Sequence, residues 1–211
     1  MSIHSCAETD TQWSARYAPE FKAVIACIRG TELNKLKDVI TDARFIPTQL
    51  PKAPKSCKVH RGFLAAVQSI ESEFIATVKS LMEINSCKTA WFFGHSMGAA
   101  EIIIATWLFW KKTKIKPEFV VGYGGPAIFN KVAQKTVNAD LWDNTVRFGI
   151  EDDFVVNMIE AIYDGAGEFI KLPLAHGRKT VLMNHGTYSN IMAAAFRHDT
   201  LWYKMLINEG W

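Results

Sequence analysis

Residues 91–100 read WFFGHSMGAA, and this stretch decides the fold. An apolar run ends at the pentapeptide GHSMG, residues 94–98, and a mostly apolar run of helical length follows it. The pattern predicts a strand, a sharp turn and a helix. In such a turn a serine is raised clear of the sheet, and glycines two residues before and after it let strand and helix approach closely. The stretch therefore favours Ser96 as a nucleophile over an ordinary loop serine.

Length and composition restrict the class of protein. The 211 residues are 49% hydrophobic and 21% charged, and the formal net charge is +3. These values are typical of a folded globular domain and unlike those of disordered or fibrous chains. The small net charge argues against a nucleic-acid partner. We expect one domain that covers residues 1–211.

Membrane spans and metal sites have little support in the sequence. The longest apolar stretch, residues 102–110, is far shorter than the ~20 residues that a transmembrane helix needs. The first ten residues lack the basic region and apolar core of a secretory signal. The four cysteines are spread without the spacing of metal ligands. These features predict free thiols and a cytoplasmic or otherwise intracellular location, while leaving secretion open.

The apolar pattern predicts strands that alternate with helices. Strands are expected at residues 21–28, 88–93, 119–123 and 145–150, and the main helices follow residue 63 and cover 97–110 and 130–137. Before the serine turn we also expect a short helix at 11–17, a helical lid or surface segment at 32–42 and a loop at 45–56. Near the end of the chain we expect a two-strand excursion at 168–172 and 179–183, followed by a final helical region from residue 184. This alternation predicts an α/β fold with a mostly parallel sheet, whose active groups lie at the carboxyl ends of the strands.

A serine nucleophile requires a base, and the base requires an acid that orients it. In this architecture the chain order is serine, acid, histidine. Asp152 and Asp153 follow the strand that ends at residue 150, where an orienting acid belongs. Either carboxylate can fill the role, and the alternative for both is a solvated surface position.

Three histidines follow the acid and are candidates for the base. His198 lies in a polar segment typical of solvent exposure, and His176 lies between two predicted strands. His185 lies in a strand-to-helix loop, and this geometry favours it as the base.

Two backbone amides are needed to stabilise the oxyanion of an acyl-transfer reaction. Met97 supplies one, because it opens the helix after the predicted turn. Gly30 and Thr31 follow an earlier strand, and Thr31 is the expected second donor. Thr31 is equally suited to cap the segment that follows it. This chemistry requires no metal and no organic cofactor, and we expect none.

Four motifs in order resemble the class 3 lipases, the fungal-lipase-like branch of the α/β-hydrolases. They span about residues 24–188, and the combination is much more specific than any single member. The motifs are RGT at 29–31 with DVITD at 38–42, VHRGF at 59–63, GHSMG at 94–98 and DFV at 153–155. The GGP at 124–126 is similar to a structural turn of the same family.

The resemblance implies an α/β-hydrolase fold with Ser96 as nucleophile, Asp153 as acid and His185 as base. It also implies oxyanion contacts from Thr31 and Met97. The sequence around His185 is similar to the family's H-x-x-Y motif, whereas that around His176 is similar to a histidine outside the catalytic set. His60 and Asp42 match motif positions with structural roles, and Asp152 remains the alternative acid.

The sequence thus predicts a serine hydrolase that cleaves carboxylic esters through an acyl-serine intermediate. The resemblance implies a lipid or other acyl-ester substrate, met at a lipid–water interface. Val39 replaces the tryptophan of the family's lid stretch, which argues against strong interfacial activation. An esterase of small soluble esters and a catalytically silent hydrolase-fold binding module are the alternatives.

Overall fold

A seven-stranded sheet organises the residues that this computed structural model describes, namely 2–6, 9–30, 46–150, 153–157 and 162–172. The strands are β1 (Ser2–Cys6), β2 (Thr11–Ala18), β3 (Ala23–Ile28), β4 (Pro47–Gln49), β5 (Lys58–His60), β6 (Thr89–His95), β7 (Phe119–Tyr123), β8 (Thr145–Ile150) and β9 (Glu168–Leu172). The α-helices are α1 (Arg61–Ile84), α2 (Met97–Thr113), α3 (Lys131–Leu141) and α4 (Phe154–Asn157), and a 3₁₀ turn (Trp142–Asn144) precedes β8.

The strand order in the main sheet is β1-β2-β3-β6-β7-β8-β9. The first two pairings, β1 with β2 and β2 with β3, are antiparallel, and the remaining four are parallel. The carboxyl ends of β3, β6, β7 and β8 therefore meet at one edge of the sheet, where α/β proteins place their active groups. The predicted α/β-hydrolase fold, with its mostly parallel sheet, is confirmed.

Strand β3 forms because residues 23–28 are a continuous apolar run, which suits a strand buried on both faces. All six of its residues are buried. Alternate side chains along β3 enter two separate apolar clusters. Val24, Ala26 and Ile28 belong to the larger cluster, which includes side chains of α1 and α2. Ile25 and Cys27 belong to the smaller one, on the opposite face of the sheet.

Helix α1 is amphipathic and begins at a histidine cap. The buried residues recur at helical spacing from Phe63 to Met82, and this stripe packs in the larger cluster. The Nδ1 atom of His60 accepts a hydrogen bond from the Gly62 amide at 3.2 Å. Because this contact satisfies an amide of the first turn, His60 has the structural role that its motif implies.

Helix α2 is apolar around nearly its whole circumference. Every residue from 97 to 109 is buried, as expected for a helix held between the sheet and neighbouring helices. Lys111 and Lys112 occupy the last turn of α2, where their positive charges interact favourably with the negative end of the helix dipole. No described helix is both long enough and apolar enough to cross a membrane.

One predicted element near the start of the described chain is wrong, and another near its end is placed differently. Residues 11–17 were expected to form a helix, but they lie in β2, between β1 and β3. Trp13 and Ala15 are buried while Ser14 and Arg16 are partly exposed, which is the period of two of a strand. The strand predicted at residues 168–172 is confirmed as β9, although it extends the main sheet beside β8 rather than belonging to a separate excursion.

The predicted loop at 45–56 also contains a short strand. Residues 47–49 form β4, which pairs antiparallel with β5 in a small two-stranded sheet. Pro47 is the first residue of β4, a position that tolerates the missing amide of proline. The predicted elements at 32–42 and 179–183 and the final helical region lie outside the described residues.

Candidate active site

Ser96 occupies the turn between β6 and α2 and has an uncommon backbone conformation. Its φ is 57° and its ψ is −127°, outside the main regions that non-glycine residues adopt. Conformations of this kind cost on the order of 1–3 kcal/mol and persist where the surrounding structure fixes them. The predicted strand, sharp turn and helix around Ser96 are therefore present, together with the strain typical of a nucleophile turn.

Two backbone hydrogen bonds hold this turn in place. The Ser96 amide donates to the Tyr123 carbonyl oxygen at 2.8 Å, and the Ala99 amide donates to the Ser96 carbonyl oxygen at 3.0 Å. The first bond connects the serine to β7, the neighbouring strand of the sheet. Since the Ser96 amide is already paired, the next amide along the chain, that of Met97 at the start of α2, remains the candidate oxyanion donor.

Close backbone approach explains the two glycines of the GHSMG motif. A Cβ atom on Gly94 would overlap the carbonyl oxygen of Gly98, and one on Gly98 would overlap the carbonyl oxygen of Ile28 at the end of β3. The strand before the serine, the helix after it and the end of β3 are thus in direct contact. Any larger residue at 94 or 98 would separate them.

Gly30 brings the segment after β3 against the serine. A Cβ atom added to Gly30 would lie 2.7 Å from Ser96 Cβ and 2.6 Å from the His95 carbonyl oxygen. The structure therefore brings together Gly30, Ser96 and Met97. Thr31, the predicted second oxyanion donor, lies outside the described residues, and its neighbour Gly30 is in contact with the nucleophile.

Asp153 lies at the same edge of the sheet, beyond β8. It is fully buried, and its Oδ1 atom accepts a hydrogen bond from the Val155 amide at 2.9 Å. Its own amide donates to the Ile150 carbonyl oxygen at 3.0 Å, so the turn at the end of β8 fixes its position. Two strand spacings separate β6 from β8, which corresponds to about 10 Å between these strands.

The remaining predicted members of the site lie outside the described residues. These are Asp152 and the three candidate bases His176, His185 and His198. The roles of His185 and Thr31 and the choice between the two aspartates therefore stay predictions. Within the described ranges, no group of three or more His, Cys, Asp or Glu side chains is placed to hold a metal ion.

Sequence reasoning missed one ionisable group in the helix that follows the nucleophile. Glu101 lies in α2 and is buried, with 7% of its surface exposed. Burial raises the pKa of its carboxyl from 4.5 to about 8. The signal in the sequence is a single carboxylate within the apolar run 97–110, which indicates a buried charge but does not show why it is there.

Solved lipase structures share the fold of this chain. The triacylglyceride lipase of Rhizomucor miehei matches with a TM-score of 0.72 and 22% identity, over 82% of this chain and 65% of that one. A lipase from Rhizopus microsporus var. chinensis matches with a TM-score of 0.71 and 21% identity, over 81% and 60%. A triacylglycerol lipase whose catalytic centre is a serine protease triad matches with a TM-score of 0.73 and 21% identity, over 81% and 65%. The chain spans less than two thirds of the length of each.

Sequence comparison identifies the family. No curated protein matches the chain significantly. The family model of class 3 lipases matches residues 25–162, which include β3, the serine turn and Asp153. This match covers more than half of the chain, and its boundaries enclose each described residue of the candidate site. The chain belongs to the class 3 lipase family.

Proposed function

We propose that this protein hydrolyses carboxylic esters through an acyl-serine intermediate formed on Ser96. The observation that carries the proposal is the serine turn itself. Ser96 has a positive φ between a buried strand and a buried helix, and Gly30 lies against its Cβ atom. This arrangement presents a hydroxyl beside the first amide of α2, where the dipole and the unpaired N–H groups of the helix favour negative charge.

Each step of the reaction has a candidate group in the chain. His185 removes the Ser96 hydroxyl proton while Oγ bonds to the ester carbonyl carbon, and the Met97 and Thr31 amides stabilise the oxyanion. His185 then gives that proton to the departing alkoxide, which leaves as the alcohol. Water repeats the sequence on the acyl-serine and releases the acid. Asp153 fixes the tautomer of His185 and stabilises its charged form.

A lipid acyl ester is the substrate class that we propose. Support comes from the family match and from the neighbours named as triacylglycerol lipases. A comparison of emulsified long-chain esters with monomeric short-chain nitrophenyl esters tests this class. Higher kcat/KM on the emulsified esters supports it, and a preference for short monomeric esters contradicts it while leaving ester hydrolysis intact.

Fluorophosphonate labelling of the purified protein tests the nucleophile and the base together. The probe reacts covalently with an activated serine, and the matched variants are Ser96→Ala, His185→Ala and His176→Ala. We expect the wild type and His176→Ala to be labelled at Ser96, because His176 has no part in the proposed reaction. We expect Ser96→Ala and His185→Ala to remain unlabelled, since they lack the nucleophile and its base.

The labelling result also separates the proposed enzyme from a binding module. A wild type that is not labelled, even with detergent present, contradicts ester hydrolysis and favours the binding module. Labelling that is lost in His176→Ala and kept in His185→Ala would move the base to His176. Circular dichroism of each variant shows whether a loss of labelling reflects unfolding.

A further inference from the structure

Arg147 is a buried cation on the face of the sheet that carries α2. Its neighbour Phe148 and the next alternate residue, Ile150, enter the smaller cluster, so the alternation of β8 directs Arg147 to the opposite face. Only 7% of its surface is exposed. Burial of a charged side chain is costly unless polar or aromatic groups compensate it, so the contacts of this guanidinium indicate its role. None of the proposed reaction steps uses it directly.

One contact of Arg147 reaches the turn that follows β7, residues 124–126. The Nη2 atom of Arg147 donates a hydrogen bond to the Gly125 carbonyl oxygen at 3.4 Å. The neighbouring Gly124 amide donates to the Phe148 carbonyl oxygen at 2.8 Å. A side chain and the backbone of β8 therefore both hold this turn in place.

The turn at 124–126 packs directly against the start of α2. A Cβ atom added to Gly125 would lie 3.2 Å from the Ser96 carbonyl oxygen and 2.6 Å from Ala99 Cβ. Ser96 has a φ of 57°, and such a conformation persists only where the surrounding structure fixes it. Gly125 is part of that surrounding structure, and Arg147 is bonded to Gly125.

Two further contacts connect Arg147 to the chain beyond α4. Its guanidinium fills the space that a side chain at Gly165 would occupy, and its Cζ atom lies 5.3 Å from the centre of the Phe169 ring. Phe169 belongs to β9, after which the chain continues toward His185. Arg147 itself belongs to β8, which leads to Asp153. It therefore contacts or belongs to the strands that precede the proposed acid and base.

We propose that Arg147 is a positioning residue for the proposed ester hydrolysis. It holds the Gly125 turn against Ser96 and joins that turn to β8 and β9, so that nucleophile, acid and base keep one alignment. The inference rests on the proposed function, since it concerns the reactivity of Ser96. A guanidinium suits this place because its planar fork donates hydrogen bonds while its face stacks on an aromatic ring. A displacement of about 1 Å at a reacting group costs about 100-fold in rate.

Substitutions at position 147 test this role. Arg147→Met keeps an unbranched side chain but removes the donors and the charge, whereas Arg147→Lys keeps a charge and a donor without the planar fork. Arg61→Met is the matched control, because Arg61 is exposed at the start of α1. The readouts are the rate constant and the final extent of Ser96 labelling by a fluorophosphonate, together with kcat and KM for a monomeric nitrophenyl ester.

We expect Arg147→Met to lower the labelling rate constant and kcat by about 100-fold with little change in KM. Arg147→Lys should lose about 10-fold, since it keeps one donor, and Arg61→Met less than about 2-fold. A purely structural role would lower the extent of labelling, which reports the folded fraction, and leave the rate constant of the folded molecules unchanged. Wild-type rate constants in both variants at position 147 overturn the inference.

A substitution in the turn tests whether Arg147 acts through Gly125. Gly125→Ala places a methyl group against Ala99 and pushes the same turn away from α2. We expect it to lower the labelling rate constant by about 10-fold or more. Because both changes displace one turn, the double variant of Arg147→Met and Gly125→Ala should lose much less than the product of the two single losses. Losses that multiply overturn the inference.

Two further outcomes are equally decisive. If circular dichroism shows that both variants at position 147 are unfolded, Gly125→Ala decides, and a wild-type rate constant in that variant overturns the inference. If the wild type is labelled and the variants at positions 125 and 147 react as fast as it does, only the inference fails. If the wild type is not labelled, even with detergent present, the proposed function fails and the inference fails with it.

Discussion

The described residues include a buried carboxyl group after β8 and another in α2, and their surroundings differ. Asp153 follows a strand, and a backbone amide donates a hydrogen bond to its Oδ1 atom at 2.9 Å. Glu101 lies within a helix whose amides beyond the first turn bond to helix carbonyls, and burial raises the pKa of its carboxyl to about 8. The two groups therefore differ in the hydrogen-bond donors that the backbone offers them. A strand end offers free amides to a carboxylate, whereas a helix interior does not.

The largest expected effect separates Asp153 from its neighbour. Asp153→Asn keeps an oxygen that can accept the Val155 amide, but it loses the charge that stabilises a protonated histidine. We expect kcat on a nitrophenyl ester to fall by about 10⁴-fold. Asp152→Asn is the matched control and should change kcat by less than about 10-fold. If Asp152→Asn lowers kcat more than Asp153→Asn does, then Asp152 is the acid. The comparison of Asp153 with Glu101 would then concern structure alone.

The next effect concerns the stability of the fold. The pKa of Glu101 is raised in the folded chain, so the folded state holds a proton that the unfolded state releases between pH 4.5 and about 8. Its contribution is fully present below the unfolded pKa and is lost as the pH rises through the folded value. The difference in pKa corresponds to as much as about 5 kcal/mol.

Glu101→Gln should remove this pH dependence. We expect it to raise the free energy of unfolding at about pH 9 by several kcal/mol relative to the wild type, and to change it little at about pH 4. Urea denaturation at the two pH values measures the difference. An equal effect at both would show that Glu101 is not held neutral, and the contrast with Asp153 would disappear.

The smallest effect extends the comparison to a carboxylate at the surface. Asp140 of α3 accepts a hydrogen bond from Lys111, and this contact lowers the pKa of Asp140. The side chains are 31% and 23% exposed, so solvent screens the pair. We expect Asp140→Asn to lower the free energy of unfolding by less than about 1 kcal/mol at about pH 7.

The pH dependence of this pair has the opposite sign to that of Glu101. The stabilisation by Asp140 is present above its unfolded pKa and is lost as the pH falls through its lowered folded pKa. Urea denaturation at about pH 7 and about pH 3 checks the direction. If Asp140→Asn instead lowers the free energy of unfolding by several kcal/mol at about pH 7, then exposure does not distinguish Asp140 from the buried carboxyl groups of Asp153 and Glu101.

The central strands could be predicted from the sequence because each of them is a short, mostly apolar run of residues. Residues 119–123 and 145–150 form strands with the predicted boundaries. The GHSMG stretch predicted the serine turn, because two glycines at that spacing have few uses other than close contact between strand and helix. The antiparallel strands at the edge of the sheet were harder to predict. Residues 11–17 mix polar and apolar side chains, and the alternation of Trp13 and Ala15 was a usable signal of a strand.

The sequence could predict which residues of the site have the right chemical type, but not which of them come into contact. Ser96 and Met97 stand where the pattern put them, and Asp153 is buried at the expected edge of the sheet. The contact between Gly30 and Ser96 depends on how β3 and β6 pair, which no local pattern contains. The raised pKa of Glu101 likewise depends on every element that packs around α2.

The bond from the Ser96 amide to the Tyr123 carbonyl oxygen has a consequence for motion. The first residues of a helix ordinarily fray, because their amides have no partner within the helix. Here the amide of Ser96, at the start of α2, is bonded to β7, and this bond holds the backbone of the turn against the sheet. Fluctuations at the end of the helix therefore leave the backbone of the serine in register with the sheet, and local opening of this turn requires that the bond between Ser96 and β7 breaks.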